Sequence, residues 1–207
     1  MSDQEQCPGV SGSRSPCFRD AAVASVVMFE WWHVLADDER QRWTLDPFVR
    51  VGPLLFGMAP GEASVALSEA TKEVQRHTRR RRANETAHVV VEGEYREFGL
   101  KLYYREERLV GIVVDALRGP QVLAEGVALV GRVPSVLEQW MLDRAEAREP
   151  CAELSYLAAG VPGSDSLGVV LDVQRAGDRL LTRPVFVPRE ALEDLSHFLP
   201  PEVWSRC

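Results

Sequence analysis

Gly52-Pro53-Leu54-Leu55-Phe56-Gly57-Met58-Ala59-Pro60 and, 74 residues later, Gly126-Val127-Ala128-Leu129-Val130-Gly131-Arg132-Val133-Pro134 align without a gap. Two glycines and a proline coincide, and the residues between them are apolar except for Arg132. Each stretch reads as a short extended segment, a turn and the entry to a helix, with proline suited to the first helical turn. The helix after the first stretch is expected from about Glu62, running through Lys72 to Arg80, where arginines would complement the helix dipole. The helix after the second is expected over Ser135 to Arg144.

Beyond each helix the hydrophobic period changes to two. His88 to Val91, Gly99 to Tyr104 and Leu109 to Asp115 read as strands in the first half. Glu153 to Ala158, Leu167 to Gln174 and Leu180 to Val187 read as strands in the second. Leu167-Gly168-Val169-Val170-Leu171 resembles Phe98-Gly99-Leu100-Lys101-Leu102, and the hairpin tips Arg105 to Arg108 and Arg175 to Asp178 correspond. The expected fold is α+β: two tandem strand–helix–three-strand units, 51–117 and 124–188, forming antiparallel sheet covered by helices.

The flanks read differently. Residues 1–18 are rich in Ser, Gly and Pro and are expected to be a disordered tail. Residues 19–50 form an N-terminal helical segment. Its first helix runs from Ala21 to about Leu35, capped by Asp20, and a short second one opens at Asp37-Asp38-Glu39 and ends near Trp43. Residues 189–207 form a C-terminal tail with one short helix around Arg189 to Phe198.

The chain has 207 residues and a formal charge of −7. The segment 72–82 holds Lys72, Arg76 and Arg79 to Arg82 against Glu73 alone, a local +5 on a remainder of −12. An acidic chain argues against general nucleic-acid binding. The apolar run Ala21 to Ala36 is interrupted by Glu30 and His33 and falls short of a membrane span. The acidic start Met1 to Glu5 does not read as the basic n-region of a signal peptide, and the protein is expected not to be secreted. Cys7, Cys17, Cys151 and Cys207 make no C-x-x-C pair and suit a reducing cytoplasm. The expected location is cytoplasmic, with no membrane or nucleic-acid partner and no cofactor. All but two of the 24 basic residues are arginine, the usage of a high-GC bacterial genome.

The segment Val49 to Met58, followed by a helix, and its pairing with Gly126 to Arg132 and a terminal strand hairpin resemble a group of actinobacterial proteins with duplicated "VGPLxFGM"-type α+β units. Related phrases occur in immunity proteins of bacterial polymorphic toxin systems. The resemblance covers residues 44–188. It implies a non-enzymatic, immunity-type protein that occludes a partner, and it transfers no catalytic residue. The family's Leu-Gly ending of the first helix is Leu67-Ser68 here.

No phosphate-binding loop, nucleophile elbow, zinc-protease or dinucleotide motif occurs. Weaker constellations remain. Glu30 and His33, at E-x-x-H spacing with Asp37 beyond, are the candidate acid–base pair, and no second such pair exists to complete a di-iron site. His88 and Glu92 share a strand face, read as solvated. Arg79, Arg80, Arg81 and Arg82 could grip an anionic partner. Trp31 and Trp32, near Trp43, Phe29 and Phe48, cannot both face inward, so one is expected to face outward, toward solvent, a ligand or another subunit.

The leading expectation is therefore a binding protein. Its acidic balance would steer it toward a basic partner such as a toxin. A homodimer joined through Ala21 to Leu35 is a further possibility. The alternative is a small cofactor-free enzyme or ligand-binding protein, cyclase- or isomerase-like, with a pocket between the N-terminal helix and the sheet.

Overall fold

The computed structural model describes residues 32–68, 77–82, 89–148, 154–157, 160–194 and 198–204, the backbone alone at 77–82 and 89. It is a mixed α+β protein built mostly of sheet, with two sheets and two α-helices among the described residues. The chain divides into Met1–His33 and Val34–Cys207, and the second unit is described below.

The chain order is β1 (Arg42–Asp46), β2 (Arg50–Val51), β3 (Leu54–Leu55), α1 (Pro60–Ser68), β4 (His77–Arg82), β5 (Val89–Tyr95), β6 (Leu100–Arg105) and β7 (Arg108–Val114). There follow β8 (Gln121–Ala124), β9 (Val127–Ala128), α2 (Pro134–Ala147), β10 (Leu154–Leu157), β11 (Val161–Ser164), β12 (Val169–Ala176) and β13 (Arg179–Phe186). The larger sheet runs β10-β11-β12-β13-β7-β6-β5-β4, and the smaller runs β3-β2-β1-β8-β9.

In the large sheet the two halves join where β7 meets β13, with Val113 opposite Val185 and Ile112 opposite Phe186. β7 is buried after Arg108, and β13 is buried from Leu181 onward except at Arg183. This explains their near-continuous apolar runs, since a strand covered on both faces has no reason to alternate. One face of the sheet carries Leu100, Leu102, Tyr104, Ile112, Val169, Leu171 and Phe186 into a core shared with Leu54, Leu67, Leu137 and Met141. The opposite face carries Tyr103, Val110, Val113, Val170 and Val185 against the C-terminal Ala191, Leu199 and Val203.

Both helices start as expected. Glu62 reaches back to accept the Ala59 N–H at 2.7 Å, satisfying one orphan donor of the helix start. In α2, Leu137, Met141, Arg144 and Ala145 are buried at helical spacing.

Several expectations are corrected. Residues 32–36 form no helix, and Leu35 donates its N–H to the Leu117 carbonyl at 2.8 Å. The expected second helix ending at Trp43 is instead a turn leading into β1. Its period is two: Trp43 and Leu45 are buried between exposed Arg42, Thr44 and Asp46, and β1 lies parallel to β8, with Trp43 opposite Val122. The first helix is described to Ser68, and Arg79 to Arg82 lie on strand β4 rather than at a helix end. Four strands, not three, follow each helix, because His77–Arg82 in the first half and Val161–Ser164 in the second each form a further strand. Leu167-Gly168 belongs to the turn before β12. The tail begins with a 3-10 turn, Arg189–Ala191.

The aligned stretches make matching bonds. Gly57 donates to the Leu109 carbonyl at 2.8 Å, and Leu109 donates back to Met58 at 3.0 Å. Gly131 donates to Thr182 and Thr182 back to Arg132, both at 2.9 Å. Each pair hooks a helix entry onto a central strand. Asp115 donates to Gly99 at 2.8 Å, and Val187 donates to Gly168 at 2.9 Å.

Candidate functional site

Three distant segments converge beside the tip of the β6–β7 hairpin. The turn there is Glu106-Glu107, with φ of 50° and 61°. Two successive positive φ values suit the twist of a two-residue hairpin, and Asn or Gly normally supplies them. Here two glutamates are held in that conformation between Arg105 and Arg108. Across from the tip lies the turn after β1, where Phe48 has φ 64°. A bulky side chain at positive φ is a genuine outlier. Of the four described non-glycine residues with positive φ, three are therefore Phe48, Glu106 and Glu107; the fourth, Glu125, lies in the β8–β9 turn. Backbone strain concentrates where the surrounding structure enforces it, and such places cluster at functional sites.

Between these turns and the C-terminal segment lies a pocket of about 390 Å³. Phe48, Phe56 and Phe198 give it aromatic walls, Gly57 and Leu109 its floor, and Arg105 and Arg108 its charge. Phe48 is fixed from two sides. The Arg189 guanidinium stacks over its ring at 4.3 Å. Its edge also lies 2.7 Å from where a Cβ on Gly168 would stand, so only glycine fits there. Arg105 stacks over the Phe198 ring at 4.3 Å and donates from Nη2 to the Phe198 carbonyl at 2.8 Å. Its buried Nε has no hydrogen-bond partner among the described residues. Neither Arg105 nor Arg108 is in an ion pair among those residues. Glu106 and Glu190 stand at the rim. The Arg105 Nε is shielded, so a molecule in the pocket would meet the guanidinium charge of Arg105 and Arg108 rather than this atom. The arrangement suits a ligand that brings an acceptor of opposite charge together with an apolar body.

Sequence reasoning placed its candidates elsewhere. Glu30 and Trp31 lie outside the described residues, as do His88, Phe29, and the cysteines Cys7, Cys17, Cys151 and Cys207. His33 and Trp32 are exposed, Trp32 at 44%. Trp43 is a core residue. Glu92, expected on a solvated face, is 4% exposed, with Lys101 Nζ at 3.8 Å. Arg79, Arg80, Arg81 and Arg82 lie on β4, at one end of the large sheet, in register with Glu92, Val91, Val90 and Val89.

A second charged region serves the fold. Arg40, 6% exposed, donates to the carbonyls of Leu35, Ala116, Leu117 and Gly119 at 2.6–3.1 Å. It pins the turn after β7 to the segment before β1. Asp37 accepts from Arg132 and from Gln121 at 3.1 Å. Burial would raise its carboxyl's pKa, but these donors outweigh burial and hold it below the ordinary value. No group of three metal-ligating side chains occurs among the described residues, and no described helix is long and apolar enough to cross a membrane.

Comparison with protein-family models, with curated proteins and with solved structures finds no match to this chain.

Proposed function

We propose that the chain is a non-enzymatic binding protein that grips a partner through the Phe48–Phe198 pocket, taking a carboxylate carried on an apolar group. The observation that carries this reading is the coincidence of two arginines without ion-pair partners among the described residues, three aromatic walls and strained turns in one pocket. An immunity-type role, in which the chain occludes a partner's working surface, is the specific form of the reading, supported by the family resemblance. Its two halves are read as copies of one unit, supported by the gapless alignment and the matching hydrogen bonds. The overall acidity favours a partner that is basic as a whole, while the pocket selects an acidic group on it.

A second reading has its own support. A volume of about 390 Å³ falls within the usual range for small-molecule sites, so a free carboxylate ligand would meet the same chemistry.

The test is a nuclear magnetic resonance titration of the labelled full chain with 3-phenylpropionate and with its neutral amide. The acid should shift the backbone amides of Gly57, Arg105, Leu109 and Val110. Shifts confined to other residues, or equal shifts from acid and amide, would overturn the proposal.

A further inference from the structure

The second half holds a counterpart of this pocket, and it is filled by the chain itself. Two matched hydrogen-bond sets fix the correspondence. Gly57 and Leu109 bond as Gly131 and Thr182 do, and Asp115 bonds to Gly99 as Val187 bonds to Gly168. Counting onward from the last pair, the turn Ala116-Leu117-Arg118-Gly119 corresponds to Pro188-Arg189-Glu190-Ala191. Pro188 and Glu190 line the pocket. Ala116, Leu117 and Gly119 instead receive the segment Val34–Arg40. Leu35 N–H bonds to the Leu117 carbonyl, and Val34 packs on Ala116, Leu117 and Leu181. The Arg40 guanidinium enters the space over Gly131, its Nη2 lying 3.3 Å from where a Cβ would stand. Over Gly57 a Cβ would meet nothing within 4 Å among the described residues.

We infer that the pocket is the docking site for an extended acidic segment of a protein partner, seated as Val34–Arg40 is seated in the second half. This rests on the binding reading above and names the source of the carboxylate. In the matched seat a backbone N–H meets a turn carbonyl, here that of Arg189, which accepts the Leu192 N–H at 3.2 Å and takes the incoming donor on its second lone pair, and a long side chain enters over the glycine. The charge is reversed. Arg108 stands where the second half has Leu181, and Arg105 adds a second guanidinium, so the entering side chain is a carboxylate where the second half admits a guanidinium. Polypeptide main chain gives affinity and the pocket gives selectivity, as in other modes of extended-segment recognition.

The test uses the full chain and three probes: a pool of acetylated, amidated hexapeptides with a central Glu between randomised apolar residues, the best member with one backbone N–H methylated at a time, and 3-phenylpropionate. The inference predicts that the best hexapeptide binds at least tenfold more tightly than 3-phenylpropionate and shifts the Glu190 amide nitrogen, which senses the Arg189 carbonyl. At least one methylated member should lose fivefold or more. If 3-phenylpropionate binds in the pocket and no peptide binds more tightly, or if methylation at every position is without effect, the segment inference fails and the carboxylate reading stands. If neither probe binds, both fail.

Discussion

Gly57 and Gly131 make the same paired hydrogen bonds and share a positive φ, 83° and 68°. They differ in what surrounds them, so alanine at each separates backbone strain from occupancy. Alanine at positive φ costs about 1–2 kcal/mol, offset by about 0.4–1 kcal/mol from a less flexible unfolded chain. Gly57→Ala meets nothing further and should cost under about 1.5 kcal/mol. Gly131→Ala puts its methyl 2.9 Å from the Ala116 carbonyl oxygen. That oxygen is backbone and is itself held by Arg40 Nη2 at 2.8 Å, so it cannot yield without loosening the pin. Overpacking adds about 1–3 kcal/mol. The difference between the variants should be about 2 kcal/mol, or about 4–8 °C in Tm for a domain of this size. Urea unfolding and calorimetry of the two variants measure it. Equal losses, or a larger loss at Gly57, would refute the claim that one seat is filled and the other open.

Other consequences follow from the buried charges. Arg40→Met keeps bulk but removes the guanidinium donors from four carbonyls, of which that of Leu117 keeps the Leu35 N–H, and denaturant unfolding should show a loss of about 3 kcal/mol or more. Arg40→Lys should restore less than half, because one ammonium cannot span that fork of acceptors. Asp172, 1% exposed, accepts from Arg183, which also donates to the Val203 carbonyl at 2.5 Å. Asp172→Ala should cost about 3–5 kcal/mol by stranding the guanidinium, and Asp172→Ala with Arg183→Met should recover part of it. Hydrogen bonding from Arg144 is the main reason Glu125 titrates below its ordinary 4.5, against the opposing effect of burial. Its contribution is present above 4.5 and lost as pH falls through the lower folded value. The stability gap between the native chain and Glu125→Gln should therefore shrink on acidification. The gap stays under about 1 kcal/mol because the carboxylate is partly solvated.

The glycine–proline alignment was legible because it encodes local geometry, turn then helix, that each stretch adopts with its neighbours. Leu109 to Val114 and Leu180 to Val187 were legible as strands for the same reason. β1 was misread because Asp37-Asp38-Glu39 imitates a helix start, although Trp43 and Leu45 alternate with polar residues. β4 was misread because four arginines carry no apolar period. What makes His77–Arg82 a strand is its pairing with β5, a tertiary fact. Glu92 was misplaced on a solvated face, since its burial beside Lys101 depends on the neighbouring strand β6. The pocket left no local signal: Phe48, Arg105 and Phe198 are far apart in the chain. The nearest clue was Arg105-Glu106-Glu107-Arg108, a hairpin tip without the glycine or asparagine that such a turn normally uses.

The most direct measurement of the central claim is the ratio of affinities for 3-phenylpropionate and its amide, by calorimetric titration, in the native chain and in Arg105→Gln and Arg108→Gln. A charge-assisted hydrogen bond is worth about 1.5–3 kcal/mol, so the acid should bind roughly 10- to 100-fold more tightly than the amide. Each substitution should collapse that ratio toward one while leaving the amide's affinity in place. An acid that binds no better than its amide, or a preference that survives both substitutions, would contradict the assignment of the pocket as the recognition site.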